Sequence, residues 1–251
     1  MTTPVKLFSA NWLDSNSSIS ATSGANTAAL YDGKLTPQWS SSGSGTGITE
    51  TITIAFRSQW GNPATRQLDR ILLLNTNAAA IAAQWQDAAG QWHEIPECAF
   101  SGITSSNVIV EMVSAVAARG FALSISAVNS GTEKLLGELK LCKSVADLSR
   151  ALTTVSFSCT DKGGNYYLSG GQLVAWREYR KRAASLKAEN LVAGDRDALM
   201  LALSDNIFVN FSADCGGDPA ETAEFAQSSA PQQYYDRRTG LYSVSLELRE
   251  R

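Results

Sequence analysis

Histidine occurs once in the 251 residues, as His93. A multi-histidine metal site is therefore excluded, as is any Ser-His-Asp arrangement not built on that residue. Cysteine is scarce as well: Cys98, Cys142, Cys159 and Cys215 stand far apart, without the C-x₂₋₄-C pairing that marks zinc. Four free, mostly buried thiols are expected. Charge is thin, at 18% of residues and net −3. No basic stripe is available for a phosphate backbone, and no polybasic run for an anionic membrane surface. No apolar run approaches the roughly 18–20 residues of a membrane-spanning helix. The first residues, Met1 to Lys6, lack a charged segment followed by an apolar block, so synthesis in a cytoplasm is expected.

Signatures of catalysis are missing too. Gly163-Gly164 and Gly216-Gly217 lack the spacing of a phosphate-binding loop, and Ser42-Gly43-Ser44-Gly45 is a flexible loop rather than a nucleophile elbow. The carboxylate pairs Asp195/Asp197 and Glu221/Glu224 read as a helix cap and a solvated face. The chain reads as a protein that binds or builds, not an enzyme, and no cofactor is expected.

What is present is short-period apolar patterning. Ile52, Ile54 and Phe56 alternate with Thr51, Thr53 and Ala55. Ile71 to Leu74 form a continuous apolar run. Trp85, Val108–Val110, Phe121–Ile125 and Leu139–Leu141 follow, separated by Gly, Asn, Ser and Pro turns. Such runs predict an all-β sandwich. Residues 144–152 read as a join. Beyond it come strands at Thr153–Cys159 and Leu173–Tyr179, with turns expected at Asp161–Asn165 and Gly170-Gly171. Gly194-Asp195-Arg196-Asp197 opens a helix with Leu199, Met200 and Leu203 as its apolar stripe. Further strands follow at Ile207–Phe211 and from Leu241 onward. The fold class expected is mainly β, with domains at 1–145 and 150–251.

Three segments of the first domain carry a resemblance. Ala29-Leu30-Tyr31-Asp32-Gly33 with Thr36 and Trp39 is the first. Leu68 to Asn75, followed by Trp85-Gln86-Asp87-Ala88-Ala89-Gly90-Gln91-Trp92, is the second. Phe121–Ile125 followed by Leu136-Gly137-Glu138-Leu139-Lys140-Leu141 is the third. In this order they resemble the discoidin, or galactose-binding-like, jelly-roll family. Taken as residues alone, Trp39 and Trp92 read as core. The resemblance implies a structural calcium held by Asp32, the Thr36 carbonyl and Glu138, although Lys34 stands where the family often has an acid. It also implies carbohydrate recognition on loops at one end, for which Trp12, Trp60, Asn62 and Arg66 are the candidates.

The second domain resembles bacteriophage distal tail, or tail-tube-like, proteins. The matching segments are Gly170–Leu173, Arg182–Leu186, Gly194–Leu199, Ile207–Phe211 and Tyr235–Arg249. That resemblance implies a small β-sandwich with one helix, assembling through strand edges into a homo-oligomeric ring, a trimer or hexamer, beside other tail proteins. The leading expectation is a structural component of a phage tail tip or baseplate, located in the virion and able to contact host surface glycan. The alternative is a carbohydrate-binding protein whose jelly roll is the working module.

Overall fold

The structure is a computed structural model describing residues 5–43, 47–148, 151–167, 172–204, 207–211 and 224–250. Its strands, in chain order, are β1 (Lys6–Phe8), β2 (Ser18–Ala21), β3 (Trp39–Ser40), β4 (Glu50–Ala55), β5 (Arg66–Thr76), β6 (Ala78–Gln86), β7 (Trp92–Ser101), β8 (Val108–Ala118), β9 (Gly120–Val128), β10 (Leu135–Cys142), β11 (Ser144–Asp147), β12 (Leu152–Tyr167), β13 (Leu173–Leu191), β14 (Ile207–Phe211), β15 (Glu224–Gln227), β16 (Gln232–Asp236) and β17 (Leu241–Glu250). One α-helix, α1 (Ala193–Ser204), lies between β13 and β14. A 3₁₀ turn covers Thr27–Leu30.

Two compact units result. Asn11–Lys143 form one, and Met1–Ala10 with Ser144–Arg251 form the other. The sequence placed the start of the chain in the first domain. The structure instead gives it to the second, because Lys6–Phe8 pair with β11 on one side and β14 on the other. The sandwich is thus inserted between two consecutive strands of the other unit.

The inserted unit has a five-stranded sheet, in the order β2-β4-β9-β6-β7, and a four-stranded one, β3-β10-β5-β8. Every pairing is antiparallel. The alternation at 51–56 does what period two requires: Ile52, Ile54 and Phe56 are buried, and their neighbours are not. One core joins these residues to Ile71, Leu73, Leu123, Ile125, Leu139 and Leu141. The run Ile71–Leu74 is buried throughout because β5 is a central strand with both faces covered. Trp39 is fully buried, as expected of a core residue. Trp92 corrects the expectation of a second core tryptophan: it starts the edge strand β7 and is 40% exposed. Gly24, at φ +94°, lies so close to the Ser40 carbonyl that a Cβ would sit 2.1 Å from its oxygen.

The other unit holds an eight-stranded sheet, ordered β11-β1-β14-β15-β17-β13-β12, with β16 also pairing with β17. Leu199 and Leu203 of α1 join Leu7, Leu186, Phe225, Val244, Leu246 and Leu248 in its core. Asp195 sits in the first turn, where it complements the helix dipole. The turn expected at Asp161–Asn165 is absent. Those residues continue β12 in register with β13, and the glycines mark a bulge between Lys162 and Gly163. Glycine here relaxes a strand instead of ending it. β13 likewise runs well past the strand expected at Leu173–Tyr179, on to Leu191. The turn expected at Gly170-Gly171, and Gly216-Gly217, Cys215 and Glu221, lie outside the described residues. Among those described, no helix is long and apolar enough to cross a membrane.

Candidate functional site

Four segments meet at one end of the sandwich, and hydrogen bonds show that they are neighbours. Gly120 pairs with both Ala55 and Gln86. The Phe56 N–H donates to the Arg119 carbonyl (3.0 Å), and the Arg119 N–H to the Gln86 carbonyl (2.7 Å). Arg66 pairs with Ala118, and Ser18 with Ala55. Loop 56–65, turn 87–91, the turn at Arg119 and segment 11–17 therefore share this end.

Loop 56–65 is held by its own backbone. Ser58 N–H donates to the Asn62 carbonyl (2.8 Å), Gly61 N–H to the Ser58 carbonyl (2.8 Å) and Ala64 N–H to the Phe56 carbonyl (3.0 Å). Arg57 Nη1 donates to the Gly61 carbonyl at 2.9 Å. Phe56 anchors the loop in the core, and Trp60 stands at its tip, 80% exposed. Asn62, two residues further along the loop, is exposed as well. A tryptophan that large, left in water on a hydrogen-bonded loop, presents a rigid flat face at little cost in ordering entropy.

The structure also brings Trp12 and Arg66 together, but largely with each other. The Arg66 guanidinium lies 5.1 Å from the centroid of the Trp12 ring, a cation–π contact. Trp12 Nε1 donates to the Gln67 carbonyl at 2.8 Å, and its ring packs on the core. One face of Trp12 is thus engaged. Arg66 Nε is buried without a hydrogen-bond partner.

Sequence reasoning missed a third group here. Trp85 pairs across the hairpin with His93, and their rings stack with centroids 4.7 Å apart. His93 Nε2 lies 2.9 Å from Asp87 Oδ2, and Asp87 Oδ1 accepts the Gln91 N–H at 2.9 Å. The His93 hydrogen bond first, and the Gln91 N–H second, hold the Asp87 carboxyl below its ordinary range. The signal was the Asp-x-x-Gly turn flanked by Trp85 and Trp92-His93. Only the register of β6 on β7 says that Trp85 meets His93, and one residue of slip would place them on opposite faces.

Of the residues expected to hold calcium, two are exposed and one is buried. Asp32 is exposed and its Oδ1 accepts the Lys34 N–H at 2.8 Å, a local turn. Thr36 is exposed on the same loop. Glu138 is buried on β10, where Lys140 Nζ lies 3.8 Å from its Oε1 and supplies the compensating charge. Among the described residues, no group of three or more His, Cys, Asp or Glu could hold a metal. Cys98 and Cys142 are buried, and burial pushes the Cys98 thiol up to about 12. The side chain of Cys159 and the whole of Cys215 lie outside the described part.

No protein-family model matches the sequence, and no curated protein does. Among solved structures, the chain is similar to chitosan-binding module 1 of a chitosanase/glucanase from Paenibacillus sp. IK-5, with a TM-score of 0.42 at 15% identity over 52% of this chain and 97% of the module. It is similar to the family 32 carbohydrate-binding module of C. perfringens NanJ, solved with galactose, with a TM-score of 0.43 at 14% identity over 53% of this chain and 98% of that one. It is also similar to the family 32 module of Streptococcus pneumoniae EndoD, with a TM-score of 0.41 at 13% identity over 52% and 97%.

Proposed function

We propose that the inserted sandwich is a carbohydrate-binding module that works at the end formed by loop 56–65 and turn 87–91. One observation carries this reading: Trp60 is 80% exposed on a loop whose backbone is pinned by several hydrogen bonds. Sugar rings have apolar C–H faces, which stack on such an indole, and rim hydroxyls, which need donors and acceptors. Asn62, on the same loop, supplies both, and Trp92 offers a second partly exposed ring near the hairpin. Arg66 and Trp12 form the floor that keeps segment 11–13 in place against β5. The test is a glycan array with the intact chain, followed by titration of any hit. Binding that survives Trp60→Ala, or an array with no hits, would sink the proposal.

A second reading belongs to the other unit. In it β13 pairs with β17 from Ala183 onward, and among the described residues the strand pairing of the distal part of the β12–β13 hairpin is that within the hairpin. A bare two-stranded ribbon is marginal in water and gains from lying against another surface. β16 is an edge strand with Tyr234 and Tyr235 exposed. With the expectation from sequence of a distal-tail-like half, these features favour a homo-oligomeric ring. Multivalent display would turn weak sugar contacts into useful avidity. Light scattering over a concentration series tests this: a trimer or hexamer supports it, and a monomer that joins no ring with tail partners refutes it.

A further inference from the structure

We infer that the ligand of this end is an acidic glycan, one bearing carboxylate or sulfate groups on its rings. The inference rests on the sugar-binding reading above. The observation is a gathering of guanidiniums without counter-ions. Arg57 follows Phe56, whose N–H bonds the Arg119 carbonyl, and Arg66 pairs with Ala118, the residue before Arg119. Three arginines distant in sequence are thereby brought to one end of the fold.

Their contacts leave the charges unmet. Arg57 Nη1 donates to the Gly61 carbonyl, Arg119 Nη1 reaches the Ala88 carbonyl at 3.5 Å, and Arg66 lies over the Trp12 ring. Among the described residues, none of the three forms an ion pair with a carboxylate. The carboxylates of the two turns at this end are spent locally. Asp14 accepts from the N–H groups of Asn16 and Ser17 and from both their side chains, and Asp87 accepts from Gln91 and His93. These groups carry three positive charges against two negative ones. The negative pair is engaged by donors of its own turns and by His93, while the positive groups keep spare N–H donors.

The chain as a whole carries a net charge of −3, so no general excess of positive charge explains this. Guanidinium presents a planar fork that matches a carboxylate or sulfate in two parallel bonds. Trp60 supplies the stacking face common to any pyranose. The arginines add a requirement for negative charge on that ring or its neighbour. The carbonyl bonds of Arg57 and Arg119 tie their guanidiniums to the loops that flank the tryptophans, so less rotamer freedom is lost on binding.

Calorimetric titration of the intact chain tests this. The probes are a galacturonic acid trisaccharide against the neutral galactose trisaccharide of the same linkage, a sulfated chondroitin tetrasaccharide against its desulfated form, and phosphatidylserine vesicles as another source of anions. The acidic member of a pair is expected to bind at least tenfold tighter, and to weaken severalfold as salt rises and screens the charges. Arg57→Gln and Arg119→Gln should each weaken acidic binding about three- to tenfold, with melting temperatures close to that of the parent protein. Equal binding of neutral and acidic partners overturns the inference but leaves sugar binding standing. No binding of any sugar overturns both. Binding to the vesicles without the sugars overturns the inference in favour of a lipid headgroup.

Discussion

Replacing Trp60 by alanine separates a binding face from a packing residue, because the structure gives opposite roles to two tryptophans that both flank polar loops. At 80% exposure, Trp60 contributes little to the core. Its loss should change folding stability by no more than about 0.5 kcal/mol, as for ordinary surface substitutions. Its loss from a sugar complex is larger. A pyranose ring laid on one indole face covers about 60–80 Å² of apolar surface, and at ~25 cal/mol per Å² that is roughly 1.5–2 kcal/mol. In affinity this is about a ten- to thirtyfold weakening. Trp39→Ala is the control of opposite sign. Trp39 is fully buried, and truncating a core tryptophan costs about 3–5 kcal/mol. The assay pairs thermal melts of both variants with titration of whichever glycan binds the parent chain. The reasoning is refuted if Trp60→Ala binds as the parent does, or if it melts well below the parent, since the indole would then be packing and not presenting.

Three further predictions concern the frame around the site. Gly24→Ala should destabilise the sandwich by about 2 kcal/mol or more, since a Cβ at φ +94° would sit 2.1 Å from a backbone oxygen; chemical denaturation measures it. Leu7→Ala, at a fully buried position of β1, should cost about 2–5 kcal/mol. Hydrogen exchange should show lost protection in β11 and β14 and none lost in β5; the reverse would contradict the assignment of the first strand. Asp87 and Asp236 both have carboxyls held below their ordinary 3.8 by hydrogen bonds from His93 and Gln91 in one case and from the Arg238 N–H and Thr239 hydroxyl in the other. Such groups add stability that is fully present above the ordinary value and is lost as pH falls through the lowered one. Melting temperature should therefore hold until pH drops below about 4 on their account, and Asp87→Asn with Asp236→Asn should flatten the fall below it.

The amino-acid sequence by itself determined the local patterns. Period-two alternation at 51–56 made β4, the unbroken apolar run at 71–74 marked part of β5, and an acid-capped stripe of Leu199 and Leu203 made the helix. Each of these depends on residues within a few positions of one another, which is the range over which side-chain sterics and the backbone period act. The tertiary structure decided everything that needed a distant partner. Lys6–Phe8 reads as the start of the first domain until Asp147 and Phe211 are found beside it. Gly163-Gly164 reads as a turn until β13 pairs across it. Trp39 and Trp60 both sit beside polar turns, yet one plugs the core and the other stands in solvent, because only the first lies in a strand paired with β10. The candidate site was half legible for the same reason. Trp60, Asn62 and Arg66 stood out as loop aromatics and donors near one another in sequence. The stacking of His93 on Trp85, and the meeting of Arg57, Arg66 and Arg119, follow from sheet register and strand order, which are fixed by long-range hydrogen bonds that no local window of sequence contains.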